Sequence, residues 1–200
     1  MAGDNQGAYD DLLAVLNNKP KEVNEVLCLT NIGYVAGKLG KNEEAIGYLK
    51  KLVEKYPKYL PGYINLAYRY NEVGEYDRSI AVNTKALEVD KSLKKDKDNI
   101  YKASSKTSVA DDGTSEALIY NNRGYARYKT GDHEGALSDI NTSISQKPDN
   151  PYAYRNRALV YIATKNNEAA CKDIAKALEL GFTEAYGNEV EELKKTLCSR

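Results

Sequence analysis

Asparagines recur at a fixed spacing along the chain, and most are followed three residues later by a tyrosine. The four asparagines and the residues that follow them are Asn31 and Tyr34, Asn65 and Tyr68, Asn122 and Tyr125, and Asn156 and Leu159. Residues three apart lie on one face of a helix. An amide has donors and an acceptor that suit an extended peptide backbone, and tyrosine adds flat area with a polar tip. We therefore predict a surface that binds a peptide or protein segment. The alternative is that the amides bond only to the protein's own backbone or to water.

Residues that could catalyse a reaction are few. Catalysis needs a nucleophile with a base, paired carboxylates or a metal cage in a cleft. The chain has one histidine, His133, and three cysteines, none of them at the spacing of a CxxC motif. It contains no phosphate-binding glycine loop, no dinucleotide-binding glycine motif and no HExxH run. We therefore expect that the chain is not an enzyme and that it binds neither a cofactor nor a metal ion.

Charge and hydropathy exclude several classes of function. The 29 Lys and Arg residues balance 29 Asp and Glu residues, so the formal net charge is zero. This balance argues against a nucleic-acid binder, because such affinity comes largely from the neutralisation of phosphates by a basic surface. No apolar run approaches the length of about 18 residues that a membrane span needs, so we expect no membrane insertion. The N-terminus lacks a charged region followed by an apolar one, so no signal peptide is expected there.

Four arginines lie between residues 117 and 184. They are Arg123, Arg127, Arg155 and Arg157. Two of them replace apolar residues of the first half, and in both cases an aspartate replaces a second apolar residue 16 positions later. The exchanges run from Ile32 with Tyr48 to Arg123 with Asp139, and from Leu66 with Val82 to Arg157 with Asp173. This covariation within the chain predicts two ion pairs, Arg123–Asp139 and Arg157–Asp173, rather than a ligand site. Arg155 remains as the candidate anchor for an anionic ligand.

These positions belong to a pattern with a period of 34 residues. Gly40 and Gly74 are 34 apart, as are Gly131 and Lys165, and the gap between the two pairs is 57, one period plus 23. The windows are 26–59, 60–93, 117–150 and 151–184. Small residues occupy the eighth and twentieth positions of each window, namely Gly33 and Ala45, Ala67 and Ser79, Gly124 and Ala136, and Ala158 and Ala170. Small residues let two antiparallel helices approach closely, and glycine at the fifteenth position ends the first helix.

The pattern resembles the tetratricopeptide repeat family, whose helix–turn–helix unit has this period. The segments TNIGYVAGKLGKNEEAIGYLKKLVEKYP and NNRGYARYKTGDHEGALSDINTSISQKP are close to the family consensus, and the resemblance covers 136 of the 200 residues. It implies an all-α fold, a right-handed superhelical α-solenoid of antiparallel helix pairs with about ten helices. It also implies that the first helix of each repeat lines a concave groove.

The resemblance places the candidate partner-binding residues in that groove. They are Asn31, Tyr34, Asn65, Tyr68, Asn122, Tyr125, Arg155 and Asn156. Chaperone-binding members of the family hold a free carboxylate with lysine, asparagine and arginine residues spread over three repeats. Only Asn65 of this chain matches that set, so we do not expect the partner to be held through a terminal carboxylate.

The repeats predict one continuous domain with five parts. Residues 1–25 hold a leading half-repeat or N-terminal helix, 26–93 the first two repeats, 94–116 an insertion, 117–184 the last two repeats, and 185–200 a C-terminal capping helix. A charged and polar insertion of this length is uncommon in a compact domain. It is interpreted either as a tolerated surface insertion or as a flap that touches the partner.

The three cysteines allow one disulfide. If the helices flanking residues 181–186 form an antiparallel hairpin, Cys171 and Cys198 lie at equal distances from its turn. Their Cα atoms then approach to the roughly 5.5–6 Å that a disulfide needs, and Cys28 stays free and buried. A bridge would indicate an oxidising compartment such as a bacterial periplasm, and a reduced pair would indicate the cytoplasm. The sequence leaves the compartment open.

The sequence therefore favours a non-enzymatic scaffold that binds a protein or peptide partner in the concave groove. One alternative is a dedicated inhibitor or immunity-type partner of a single protein, which would dock through the insertion or the convex face. Another is an RNA-binding helical repeat or an enzyme accessory subunit, although RNA-reading repeats need basic contacts in each repeat. The identity of the partner, the process and the oligomeric state stay open.

Overall fold

The computed structural model describes residues 4–95 and 114–198, and within these ranges it contains eleven helices and no strand. The helices are α1 (Asn5–Asn17), α2 (Glu22–Lys38), α3 (Asn42–Lys55), α4 (Leu60–Glu72), α5 (Tyr76–Lys95), α6 (Thr114–Lys129), α7 (His133–Gln146), α8 (Pro151–Ala163), α9 (Asn167–Glu179), α10 (Phe182–Tyr186) and α11 (Glu189–Leu197). The all-α prediction is confirmed. Two compact units make up the chain, unit 1 from 1 to 109 and unit 2 from 110 to 200.

Unit 1 is a series of helices in which each packs on its neighbours along the chain. The first helices of its two repeats are α2 and α4, which pack on the second helices α3 and α5. The main core contains Leu29, Leu49, Leu52 and Leu66. A second apolar cluster joins α1 to α2 and α3, and Tyr9 of α1 is buried in it.

Unit 2 repeats this arrangement with α6 and α8 as first helices and α7 and α9 as second helices. One apolar cluster contains Ala136, Ile140 and Val160, and so joins α7 to α8. Another extends to the end of the described chain, because Phe182 of α10 and Val190 of α11 pack on apolar residues of α8 and α9.

Close packing of the two helices in a repeat explains the small residues at the eighth position. A Cβ atom placed on Gly33 of α2 would lie 2.6 Å from Cγ of Leu49 in α3. On Gly124 of α6 it would lie 2.6 Å from Cγ1 of Ile140 in α7 and 3.2 Å from the Ala136 carbonyl oxygen. A larger side chain at either position would push the helices of the pair apart.

The turn between the two helices of a repeat uses a left-handed backbone conformation. Gly40, Gly74 and Gly131 have φ of 75°, 79° and 88°, and Lys165 has 60° at the equivalent point of the last repeat. Glycine adopts this conformation without the Cβ clash that other residues meet. This is why the fifteenth position marks the end of each first helix so clearly in the sequence.

The predicted insertion at 94–116 falls almost wholly outside the described residues. Lys94 and Lys95 belong to the end of α5, and residues 114–116 begin α6. The question of whether the insertion is ordered or functional therefore concerns residues 96–113. None of the described helices is both long and apolar enough to cross a membrane.

The C-terminal hairpin differs from the sequence-based expectation in its turn. Residues 181–186 do not form a simple turn, because Gly181 is followed by the five-residue helix α10. Gly181 and Gly187 both have positive φ, 79° and 93°, and they separate α10 from its neighbours. The cysteines at the two sides of this hairpin meet: Cys171 and Cys198 form a disulfide with their Cα atoms 5.7 Å apart. Cys28 is free and buried, and burial raises the pKa of its thiol.

Replacing Gly33 by valine should destabilise unit 1 by about 2 to 3 kcal/mol, because the new side chain has no room beside Leu49. The matched control is Gly47→Val in the adjacent helix α3, where a Cβ would have no neighbour within 4 Å. The control should change the free energy of unfolding by no more than about 0.5 kcal/mol. Urea denaturation followed by circular dichroism measures both, and equal losses would contradict this account of the eighth position.

Candidate functional site

Unit 1 presents an exposed apolar stripe along its helix α2. Val23, Leu27 and Tyr34 keep 71%, 47% and 55% of their surface exposed. Because residues of a helix turn by about 100° each, these three side chains fall within about 40° of one another around the axis. Asn31 is exposed and lies at the edge of the same stripe. Large apolar side chains grouped in water on one face are typical of surfaces that bind another molecule.

Helix α4 continues this surface beside α2, on which it packs. Tyr68 is 39% exposed, and Asn65, one turn before it, is half-buried. We call the set Val23, Leu27, Asn31, Tyr34, Asn65 and Tyr68 the first-helix face of unit 1. It joins two tyrosine rings, two amides and two aliphatic side chains.

A guanidinium group packs between α2 and α4. Arg69 is 6% exposed and its Cζ atom lies 5.1 Å from the centroid of the Tyr68 ring. A Cβ atom on Gly37 of α2 would approach this Cζ to 2.4 Å, so glycine leaves the space that the guanidinium fills. Sequence reasoning missed this contact, and also Val23 and Leu27. The spacing of Val23, Leu27 and Tyr34 along one face of a helix was a signal that could have revealed the stripe.

Unit 2 brings together the arginines and aspartates that covary along the chain. Arg123 donates from Nε and Nη2 to the two oxygens of Asp139, both at 2.8 Å. Arg157 donates in the same way to Asp173, both at 2.7 Å. These bidentate pairs link the first and second helices of the two repeats, and the carboxylates are almost fully buried. Donating these hydrogen bonds to the aspartates raises the pKa of both guanidinium groups.

A third arginine joins the first of these pairs. Nη1 of Arg127 donates to Oδ2 of Asp139 at 2.9 Å, so one buried carboxylate accepts from two guanidinium groups. Arg127 is one helical turn after Arg123 and has no counterpart in the last repeat, where Tyr161 takes its place. For that reason the covariation did not reveal it.

The expectation that Arg155 is an open anchor for an anionic ligand needs correction. Its Nη2 lies 2.6 Å from Oε1 of Glu189 and its Nε 3.1 Å from Oε2, and its side chain is only 11% exposed. Burial works to lower the pKa of this guanidinium, but the hydrogen bond and charge of Glu189 outweigh it, so that the pKa is raised. Glu189 lies 34 residues after Arg155, so it occupies the equivalent position of a further first helix, α11. That spacing was the signal that sequence reasoning overlooked.

Asn156 is also not available to a partner. It is 1% exposed, its Nδ2 donates to Oδ1 of Asn121 at 3.0 Å, and its Oδ1 accepts from Nη1 of Arg155 at 2.8 Å. This amide therefore ties α8 to α6 within the protein. Asn122 and Tyr125 of α6 are half-buried. The recurring asparagines and tyrosines are therefore mostly exposed in unit 1 and largely covered in unit 2.

Nothing in the described part of the chain gathers the groups that metal binding requires. Residues 4–95 and 114–198 contain no cluster of three His, Cys, Asp or Glu side chains that could hold an ion. His133 begins α7 and its ring centroid lies 6.0 Å from that of Tyr128. It has an aromatic neighbour in the fold.

Comparisons with known proteins agree with the geometry. A family model described as tetratricopeptide repeat matches residues 28–59, and another with the same description matches residues 120–185. A TPR repeat-containing protein of Methanocaldococcus jannaschii is 32% identical over 77 residues, which are 38% of this chain. The match spans only 14% of that relative's length.

Solved structures resemble the chain over most of its length. A TPR protein of Thermus thermophilus, TTC0263, has a TM-score of 0.70 at 18% identity, with 98% of this chain and 91% of that chain covered. The crystal structure of MamA has a TM-score of 0.63 at 24% identity, with 92% of each chain covered. At these identities the likeness establishes the fold.

The Arg157–Asp173 pair in the last repeat should fix the relative position of α8 and α9 and add little to the free energy of unfolding. Asp173→Val alone should cost about 2 to 3 kcal/mol, because it leaves the Arg157 guanidinium without its carboxylate. The double variant Arg157→Leu with Asp173→Val restores the apolar pair that Leu66 and Val82 form in the second repeat. It should unfold within about 1 kcal/mol of the wild type, since the desolvation cost of both charges disappears.

Urea unfolding of the two single variants and the double variant measures this cycle. The Arg157→Leu single variant is the necessary comparison, because it leaves the Asp173 carboxylate buried without its partner. A double variant at least as unstable as Asp173→Val would contradict the prediction and show that the charges themselves hold the helices together.

Proposed function

From the premise that the chain belongs to the tetratricopeptide repeat family, we propose that it is a non-enzymatic scaffold that captures one protein partner through the first-helix face of unit 1. The repeat fold is that of proteins that bind other proteins. The observation that carries the finer proposal is the exposed stripe of α2, in which three large apolar side chains face water on one side of a helix.

The chemistry of the face suits an extended or helical segment of the partner. Val23, Leu27 and Tyr34 offer apolar contact area, and Tyr68 extends it onto α4. Asn31 and Asn65 each precede one of these tyrosines by three residues, and their amides can both donate to and accept from a polypeptide backbone. Aromatic side chains are common anchors of protein interfaces because they bury much area for few rotatable bonds.

The face is preformed, which favours binding. Arg69 packs against Tyr68 and against the α2 backbone at Gly37, so the two first helices are already held side by side. A surface that is ordered before binding loses little conformational entropy when a partner docks. The partner therefore bears most of the ordering cost.

The corresponding residues of unit 2 support the choice of unit 1. Asn156 and Arg155 are engaged with Asn121 and Glu189, and Tyr125 is half-buried beside them. A partner would have to displace internal hydrogen bonds to use these groups. In unit 1 the equivalent tyrosines are more than one third exposed.

Selection of peptides from a random library on the full chain provides a ligand for testing. Replacing both Tyr34 and Tyr68 by alanine should then weaken peptide binding at least tenfold, a loss of about 1.4 kcal/mol or more. The matched control is Lys50→Ala with Lys51→Ala, two exposed residues of the second helix α3. It should bind like the wild type, and both double variants should keep the helix content and Tm of the wild type. Fluorescence anisotropy of a labelled peptide measures the affinities.

Two results would overturn this proposal. Unchanged affinity of the tyrosine variant would move the interface to the second helices or to residues 96–113. A chain that binds a folded partner but selects no peptide would instead favour the dedicated inhibitor, because a large rigid interface is not reproduced by a short segment.

A further inference from the structure

An ion pair in unit 2 joins the last repeat to the C-terminal helix, and its Arg155 side chain is 11% exposed whereas its Glu189 side chain is 47% exposed. Nη2 of Arg155 lies 2.6 Å and 2.7 Å from the two oxygens of Glu189, the first residue of α11. The remaining nitrogen, Nη1, donates to Oδ1 of Asn156 at 2.8 Å. The Tyr125 and Tyr152 ring centroids lie 5.5 and 5.6 Å from Cζ of Arg155. Arg155, Asn156 and the two rings thus form a carboxylate-binding site that belongs to α6 and α8, and the Glu189 carboxylate bound there stays partly exposed.

The rest of α11 fits an apolar surface beside this pocket. Val190 is fully buried, and Leu193 and Leu197 pack with it against Ala158, Ile174 and Ala177. Helix α11 therefore presents a carboxylate followed by apolar side chains one, four and eight residues later. This order of groups describes the kind of segment that the surface of α8 and α9 accepts.

Helix α11 keeps its position through contacts with the rest of unit 2 and through one covalent bond. It has nine residues, and an isolated helix of that length is not stable in water. Gly181 and Gly187, both with positive φ, separate it from α9 on either side of α10. The covalent connection is the disulfide from Cys171 of α9 to Cys198, which directly follows α11. In the chain-entropy description, a bridge across a loop of this size favours the closed form on the order of a hundredfold to a thousandfold.

We propose that α11 is a plug over a second binding site and that the Cys171–Cys198 disulfide is the latch that holds it there. The site recognises an amphipathic helical segment of another protein through a carboxylate on that segment. This site lies in unit 2 and stands independently of the peptide surface proposed for unit 1. When the latch opens, α11 leaves and Arg155 stays in position, because Asn156 and the two tyrosine rings belong to α6 and α8. The partner then supplies the carboxylate and the apolar side chains.

Opening the latch is a thiol–disulfide exchange. A dithiol reductant gives up two electrons and two protons and becomes a cyclic or protein disulfide. The bond between Sγ of Cys171 and Sγ of Cys198 breaks, and each sulfur becomes a thiol. Attack of one thiolate of the reductant gives a mixed disulfide, which its second thiol then resolves.

The first test is hydrogen exchange on the full chain. Reduction by dithiothreitol should raise the exchange rate of the amides of α11 at least a hundredfold and leave those of α7 and α9 protected. The variant Cys171→Ser with Cys198→Ser should behave like the reduced protein. Continued protection of α11 after reduction would overturn the proposal. So would loss of helix content in the whole unit, because the bridge would then hold the fold and not a plug.

The second test uses a synthetic peptide of residues 187–198 with Cys198→Ser as the probe. Because the tethered α11 competes at an effective concentration of about a millimolar, the probe is titrated to a few millimolar against the full chain labelled with ¹⁵N. The Nε–H resonance of Arg155 should shift in the reduced protein and not in the oxidised one. The same peptide with Glu189→Gln should bind at least tenfold more weakly. Equal binding by both redox states, or by both peptides, would overturn the proposal.

Discussion

The close approach of the two helices within each repeat determines which faces of the helices are buried and which stay exposed. Gly33 of α2 lies so close to Leu49 of α3 that a side chain on Gly33 would not fit. Gly124 of α6 and Ile140 of α7 are in contact in the same way. The contact between the two helices of a repeat buries one face of each first helix, and packing on the neighbouring repeat buries another face. What remains exposed on α2 and α4 is the face that carries the asparagines and tyrosines. Packing therefore decides which side chains stay exposed on the first helices.

The two units solve the same packing problem with different chemistry. Unit 1 fills the contact between first and second helices with apolar residues such as Leu66 and Val82, whereas unit 2 uses bidentate pairs of arginine and aspartate. Buried ion pairs lose most of their Coulombic gain to desolvation, so they mainly require a fixed geometry. A separate set of hydrogen bonds in unit 2 runs from Asn121 through Asn156 and Arg155 to Glu189, and it occupies the asparagine position whose equivalents in unit 1 are exposed or half-buried.

Much of the fold could be read from the sequence because a repeat displays its own rules several times. The period of 34 residues, the small residues at the eighth and twentieth positions and the glycine at the turn gave an all-α fold of helix pairs, which the structure confirms. The contacts that escaped prediction lie between repeats. Gly37 accommodates Arg69, and Asn156 bonds to Asn121, in each case across neighbouring first helices. Asn156 shows why equivalent asparagines can have different roles. The residue 35 positions before it is Asn121, to which it bonds, whereas the residue 35 positions before Asn65 is Thr30.

Photo-crosslinking shows whether a partner covers the first-helix face of unit 1. Benzoylphenylalanine is placed at position 34 on that face, and at position 50 on the exposed side of α3 as the matched control. The chain is irradiated together with a purified partner or a selected peptide. We expect position 34 to form the crosslinked product and position 50 to form little or none. A product from position 50 with none from position 34 would contradict this expectation.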